Sequence, residues 1–179
     1  MRLFIAASLA PEHLDVLQRA QNILAANCSG LSLTKPENLH LTLHFIGEVT
    51  KEEVLLLQEV MMRARFPVWD KLTASITGYG TLRRNDGDLI YAKLDASEAW
   101  LTVLEQINDG LKKNNFPVAK RNWKPHVTLA RRARLDVPLG DLVSELPLSS
   151  EQIKLPSVNL FKSEFTPQGM LYTSILRRS

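Results

Sequence analysis

One short pattern occurs twice in this chain, and the repeat limits the architecture more than any other feature. Leu39-His40-Leu41-Thr42-Leu43-His44-Phe45 returns 86 residues later as Pro125-His126-Val127-Thr128-Leu129-Ala130-Arg131. Four His and ten Thr in 179 residues supply only about 0.2 His-x-Thr tripeptides by chance, so two copies, each followed by Leu, point to a duplicated unit. Side chains alternate between the faces of a β-strand, so His40, Thr42 and His44 share one side while Leu41, Leu43 and Phe45 share the other. The same parity sets His126, Thr128 and Ala130 against Val127 and Leu129. Each strand therefore offers an aliphatic face to a core and a His-Thr face to something else. If a pseudo-twofold axis relates two lobes, the polar faces meet across a cleft lined by two imidazoles and two hydroxyls. Strict alternation turns Arg131 away from Thr128, so Arg131 joins this group only where the strand ends or twists.

The surrounding periodicities predict what carries these strands. Residues 2–8 are apolar on both faces and read as a doubly buried strand. Pro11 opens a helix whose stripe of Leu14, Leu17, Gln18, Gln21, Leu24 and Ala25 runs to a stop near Ser29-Gly30, with His13 exposed in its first turn and Cys28 a small apolar residue at its end. Thr50 and Glu53 form a capping box for a helix to about Arg65, with Val54, Leu57, Met61 and Ala64 inward and Leu56 and Val60 widening the stripe. Strands are predicted over 72–79 and 89–94 around the Arg83–Asp88 turn, over 126–131, and over 155–161 and 170–176 around Thr166-Pro167-Gln168-Gly169. Trp100, Leu104, Ile107 and Leu111 mark a third long helix, and a short one falls around 139–146. This order implies an α+β protein with mostly antiparallel sheets. No Pro-, Gly- or Ser-rich linker divides it, so residues 1–179 read as a single bilobal domain.

Composition narrows the chemistry. A chain that is 45% hydrophobic and 23% charged is ordinary for a globular protein, and no apolar run approaches the roughly 20 residues of a membrane span, which favours the cytoplasm. The single Cys28 rules out an intramolecular disulfide and any multi-cysteine metal site. The net charge of +3 is unevenly spread: Lys112, Lys113, Lys120, Arg121, Lys124, Arg131, Arg132 and Arg134 fall in a stretch without acids, leaving 3 − 8 = −5 for the remainder. Such a stretch beside the second motif attracts a polyanion, although Lys112 and Lys113 also suit a solvated last turn of a helix.

Two imidazoles facing two hydroxyls suit in-line opening of a cyclic phosphodiester. Water needs a base on its side of phosphorus, and the leaving oxygen needs an acid on the other. Histidine, with an unperturbed pKa of about 6.5, serves either role near neutrality. Thr42, Thr128 and Arg131 are candidate donors to the phosphoryl oxygens. Neither a metal nor another cofactor is required. His40 and His44 lie about 13 Å apart along an extended strand, too far to share zinc, and neither a nucleophile elbow nor a Gly-rich phosphate loop is present. By symmetry the two histidines are chemically interchangeable.

These motifs, with Arg2-Leu3-Phe4-Ile5-Ala6 before Pro11, the continuation through Gly47-Glu48-Val49, and Leu160-Phe161-Lys162-Ser163 with Tyr172, resemble the two-histidine (2H) phosphoesterases, in particular RNA 2′,3′-cyclic phosphodiesterases of the LigT/ThpR type, also called 2′-5′ RNA ligases. The resemblance implies a bilobal fold with two sheets facing across a central cleft, helices outside, and metal-independent opening of a terminal 2′,3′-cyclic phosphate to a 2′-phosphate, with reversible 2′-5′ ligation as a companion activity. It casts His40 as proton donor, His126 as proton acceptor, and Thr42 and Thr128 as phosphate holders. Candidate substrate contacts are His44, Phe45, Lys120, Arg121, Lys124 and Tyr172. His44 departs from the small or apolar residue usual at its place in the family, and is read as lining the cleft. RNA ending in a cyclic phosphate is the expected partner, met by a monomer chiefly from the His126 side. Alternatives are a phosphodiesterase of 2′-5′ linkages or small cyclic nucleotides, and a non-catalytic RNA-binding module using Trp123.

Overall fold

The structure is a computed structural model that describes residues 1–118 and 122–179. Lys120 and Arg121 lie outside the described residues. Nine strands form two antiparallel sheets. In the first, of order β3-β1-β8-β9, β1 (Arg2–Ser8) lies between the first motif strand β3 (His40–Glu48) and β8 (Ser157–Thr166), which pairs with β9 (Gly169–Arg178). In the second, of order β2-β6-β5-β4-β7, the second motif strand β6 (His126–Leu135) lies between β2 (Cys28–Leu33) and β5 (Asp88–Ala96), followed by β4 (Thr73–Leu82) and β7 (Ser149–Lys154).

Helix α1 (Pro11–Ala26) leaves the end of β1 in one sheet but packs on β2, β6 and β7 of the other, so it ties the lobes together. Helices α2 (Lys51–Arg63) and α3 (Ala99–Lys113) pack on each other, and α2 also touches β9. The short α4 (Leu139–Leu142) precedes β7. The predicted capping box is present at α2: Thr50 Oγ1 accepts from the Glu53 N–H at 3.2 Å and Glu53 Oε2 accepts from the Thr50 N–H at 2.7 Å. One apolar cluster includes Leu3, Ile5, Ala7 and Leu41 of the first sheet and Ile90, Ala92, Val127 and Leu129 of the second. Arg178 closes the α2 end, its guanidinium donating to the Met61, Met62 and Ala64 carbonyls and stacking over Phe66 at 4.8 Å.

Several expectations are corrected. Helix α1 stops at Ala26, and Cys28 and Gly30 begin β2, paired with Leu135 and Arg134. The long β6 offers an unpaired edge there, and ladder hydrogen bonds along it displace the helix exit read at Ser29-Gly30. His13 is completely buried: its Nε2 donates to the Ala74 carbonyl at 2.9 Å and its Nδ1 accepts from the Ala10 N–H at 3.3 Å, a neutral tautomer satisfied on both nitrogens. Burial holds its pKa below the usual histidine value, against the opposing pull of the Ala74 carbonyl and Glu12. Leu56, expected to widen the stripe of α2, is exposed.

Candidate active site

Each motif strand contains a β-bulge at the same place, and the bulges decide which side chains enter the cleft. Along β3, His40, Thr42, His44 and Phe45 pair with Ser8, Ala6, Ile5 and Phe4 of β1, so Leu43 is the extra residue. Parity inverts after it. Leu41 and His44 share the face of Ala7 and Ile5, in the core, while His40, Thr42 and Phe45 share the face of Ser8, Ala6 and Phe4. Along β6, His126 and Thr128 pair with Lys93 and Tyr91 of β5, and Ala130 pairs with Ile90, so Leu129 is extra. Val127, Leu129 and Ala130 are all buried, and Arg131 emerges exposed on the His126–Thr128 side.

Two expectations for β3 are overturned by this inversion. His44 does not share the His40 face: it is 5% exposed, on the core side, with Nε2 bonded to the Pro117 carbonyl at 3.0 Å. Burial lowers its pKa, partly offset by that carbonyl, and it does not reach the cleft as a substrate contact. Phe45 does not anchor the core: it is 68% exposed and turned to the cleft side. For Arg131 the irregularity that strict alternation required is present. A further shift in register follows at Arg132, whose backbone adopts φ 53° and whose guanidinium pairs with Asp86 at 3.2 Å.

The two imidazoles are held alike. His40 Nδ1 lies 2.7 Å from the carbonyl of Asn38, and His126 Nδ1 lies 2.8 Å from the carbonyl of Lys124, in each case two residues upstream. A carbonyl only accepts, so the hydrogen-bond pattern assigns the Nδ1 proton to both rings and leaves Nε2 free to take up or release a proton. A tyrosine meets each ring edge-on: Tyr172 at 5.4 Å from His40 and Tyr91 at 5.6 Å from His126. Phe4 backs His40 at 4.9 Å and stacks on Phe161 at 5.3 Å. Burial is the main cause that holds the pKa of His40 below the usual value; the Asn38 carbonyl opposes it, and the positive charges of Arg131 and His126 add to it. Residues of both lobes thus act on one imidazole.

The neighbours that fix this geometry were not legible beforehand. Asn38 donates its side-chain N–H to the Met170 carbonyl of β9 at 2.8 Å, anchoring the turn before His40. Trp123, read from the sequence beside a basic RNA-binding stretch, donates its indole N–H to the Thr42 carbonyl at 3.0 Å and so ties the segment before β6 to β3 of the other lobe. The Gln21 amide donates to the carbonyls of Thr34 and of the bulge residue Leu129, at 2.8 and 2.9 Å, and the Thr34 N–H reaches Leu129 as well at 2.8 Å. The only sequence hint to these partners is a polar or aromatic residue where an apolar one would pack more simply. Lys124 is exposed next to His126, as are Arg131 and Arg134. Among the described residues no group of three or more His, Cys, Asp or Glu is placed to hold a metal, and no helix is long and apolar enough to cross a membrane.

Two antiparallel sheets, each presenting a His-x-Thr strand toward the other, make the arrangement of a two-histidine phosphoesterase. A family model of the 2′-5′ RNA ligase superfamily matches residues 8–164, and the chain belongs to that family. It is 31% identical to the RNA 2′,3′-cyclic phosphodiesterase of Thermus thermophilus, over 97% of this chain and 87% of that one. To the RNA 2′,3′-cyclic phosphodiesterase of Archaeoglobus fulgidus it is 27% identical, over 98% of each. The crystal structure of E. coli LigT complexed with 3′-AMP has the same fold, with a TM-score of 0.75 at 22% identity, covering 99% of this chain and 96% of that one.

Proposed function

We propose that this cleft opens a terminal 2′,3′-cyclic phosphate of RNA to a 2′-phosphate. One observation carries the reading: two imidazoles on opposite lobes, each with Nδ1 committed to a backbone carbonyl and Nε2 left for proton transfer. His126 Nε2 takes a proton from water as its oxygen bonds to phosphorus. The bond from phosphorus to O3′ breaks in line with that attack, and His40 Nε2–H delivers a proton to O3′. Thr42 and Thr128 hydroxyls hold the non-bridging oxygens, and Arg131 offsets their charge. When the 5′-hydroxyl of a second RNA end takes the place of water, it bonds to phosphorus, the bond to O3′ breaks and O3′ takes the proton as before, so a 2′-5′ linkage forms and the same groups serve ligation. The whole chain acts as one bilobal catalytic unit, since each lobe supplies one of the two histidines, and it works as a cytoplasmic monomer. Lys124 and Arg134, with the basic residues 120 and 121, draw the RNA backbone toward the His126 side.

The test is incubation of the protein with an oligonucleotide ending in a 2′,3′-cyclic phosphate, in EDTA. Turnover to a 2′-phosphate is the expected result. Salt-sensitive binding without product would leave an RNA-binding module in its place, and faster turnover of 2′-5′ linkages or free cyclic nucleotides would reassign the substrate.

The depressed pKa of His40 adds a pH signature. In the free enzyme the His40 imidazolium is lost as pH rises through that lowered value. A bound phosphate anion favours the imidazolium and raises the pKa, so protonated His40 persists to higher pH in the complex. An NMR titration of the His40 ring with and without inorganic phosphate checks this, and a midpoint that phosphate leaves in place would count against His40 facing the phosphoryl group.

A further inference from the structure

The segment that leads into β6 is fastened on two sides. β3 is an edge strand of the first sheet, so part of its backbone faces outward, and there the Trp123 indole N–H donates to the Thr42 carbonyl at 3.0 Å. Two residues on, the Pro125 carbonyl accepts from the Leu94 N–H of β5, in the second sheet, at 3.1 Å. Lys124 stands between these anchors, and its carbonyl holds His126 Nδ1 at 2.8 Å. A second bond to β3 secures the same segment further back, where His44 Nε2–H donates to the Pro117 carbonyl at 3.0 Å. The corresponding carbonyl on the other lobe, that of Asn38, is held within its own sheet, through the Asn38 side chain on the Met170 carbonyl of β9. His40 is thus aimed by one lobe and His126 by both.

We infer that Trp123 is a positioning residue for His126, with His44 as its auxiliary: the indole binds the backbone of the strand that carries His40 and Thr42, and so sets the direction in which His126 Nε2 faces the cleft. The inference rests on the proposed cyclic-phosphate opening. A carbonyl that accepts from an imidazole fixes both the tautomer and the angle of the ring. A peptide unit anchored on one side only can turn and take the ring with it, whereas Lys124 has an anchored neighbour on each side. In-line displacement needs His126 aimed at phosphorus, and phosphorus is held in part by Thr42 of the other lobe, so alignment within the second sheet alone is not enough. Trp123 refers His126 to Thr42 itself through one hydrogen bond. His44, buried on the core side of β3, steadies the far end of the same segment and takes no part in proton transfer.

The experiment uses Trp123→Phe, which keeps an aromatic ring and removes the N–H. On an oligonucleotide ending in a 2′,3′-cyclic phosphate its kcat falls about 2- to 10-fold, with KM within about 2-fold of the unaltered protein. NMR of the ring nitrogens, recorded with the imidazoles neutral, separates positioning from mere support of the fold. In the unaltered protein both cleft rings hold the proton on Nδ1. In Trp123→Phe the His126 signals move toward a mixture of tautomers, while His40, held by Asn38, stays as it was. His44→Leu gives the same change in smaller measure. A His126 tautomer that Trp123→Phe leaves in place overturns the inference whatever happens to kcat, and so does an equal change in both rings, which marks a general loosening of the fold. Should Trp123→Phe fail to fold, the same reading on His44→Leu decides. The NMR reading needs no substrate, so failure of the unaltered protein to open the cyclic phosphate would overturn the proposed function and leave this test standing.

Discussion

Replacing His126 with Ala lowers kcat on an RNA 2′,3′-cyclic phosphate by about 10²- to 10⁴-fold, and His40→Ala has a loss of the same order, with KM changing far less in both. The reasoning is geometric. Each ring is fixed through Nδ1 to a carbonyl two residues upstream, so its remaining nitrogen has no partner to lose among the described residues. Truncation therefore removes a proton-transfer group and leaves the Thr42 and Thr128 hydroxyls in place. Acid and base act in one displacement, so the double variant loses less than the product of the two single losses. Steady-state rates of the three variants, with and without EDTA, decide this. Single variants that retain full turnover would remove the two-histidine mechanism altogether.

Trp100→Ala is expected to have the largest effect on stability. The indole is fully buried in the first turn of α3, and its Nε1–H donates to the Thr73 carbonyl at 3.1 Å, at the start of β4. Truncation both opens a cavity and leaves that carbonyl without its indole donor. Large aromatic-to-Ala changes of this kind cost about 3–5 kcal/mol, equivalent to a fall in Tm of roughly 6–20 °C for a chain of this size. A thermal melt followed by circular dichroism reads it directly, and a shift below about 2 °C would mean that α3 and β4 are held together mainly by other contacts.

Much of the fold was legible because its strands and helices carry strong periodicities. The doubly apolar β1, the Thr50–Glu53 cap of α2 and the four-three-four spacing from Trp100 to Leu111 all led to the right elements. β7 escaped because Ser149-Ser150-Glu151-Gln152-Ile153-Lys154 is an edge strand with a single large apolar residue, so it has no alternation to read. His13 was misjudged because its partner, the Ala74 carbonyl, is 61 residues away in sequence. Within the site the His-Thr pairs were legible from parity alone and Arg131 only on the condition that the strand twists, while the faces taken by His44 and Phe45 were not. A bulge is a property of pairing between strands, and nothing in Leu43 or Leu129 announces that each is the unpaired residue. Between Leu43 and the second register shift after Phe45 the side chains change face, which is why alternation fails at positions 44 and 45 and holds again from Gly47.

The strand order has a consequence for how the enzyme comes into being. β1, made first, lies between β3 and β8, and the register joins Arg2–Ser8 to Ser157–Ser163 across some 150 residues. Tyr172, which packs against His40, and Met170, which holds the side chain of Asn38, come later still. Local helices form early, but pairings so distant in sequence must wait for the last portion of the chain and are slow to close. While the protein is still being synthesised, the lobe bearing His126 has nearly all of its strands, whereas the sheet beneath His40 lacks half of its own. An unfinished chain thus has one histidine of the pair in a framed setting, and the two come together across the cleft only once β8 and β9 have closed the first sheet.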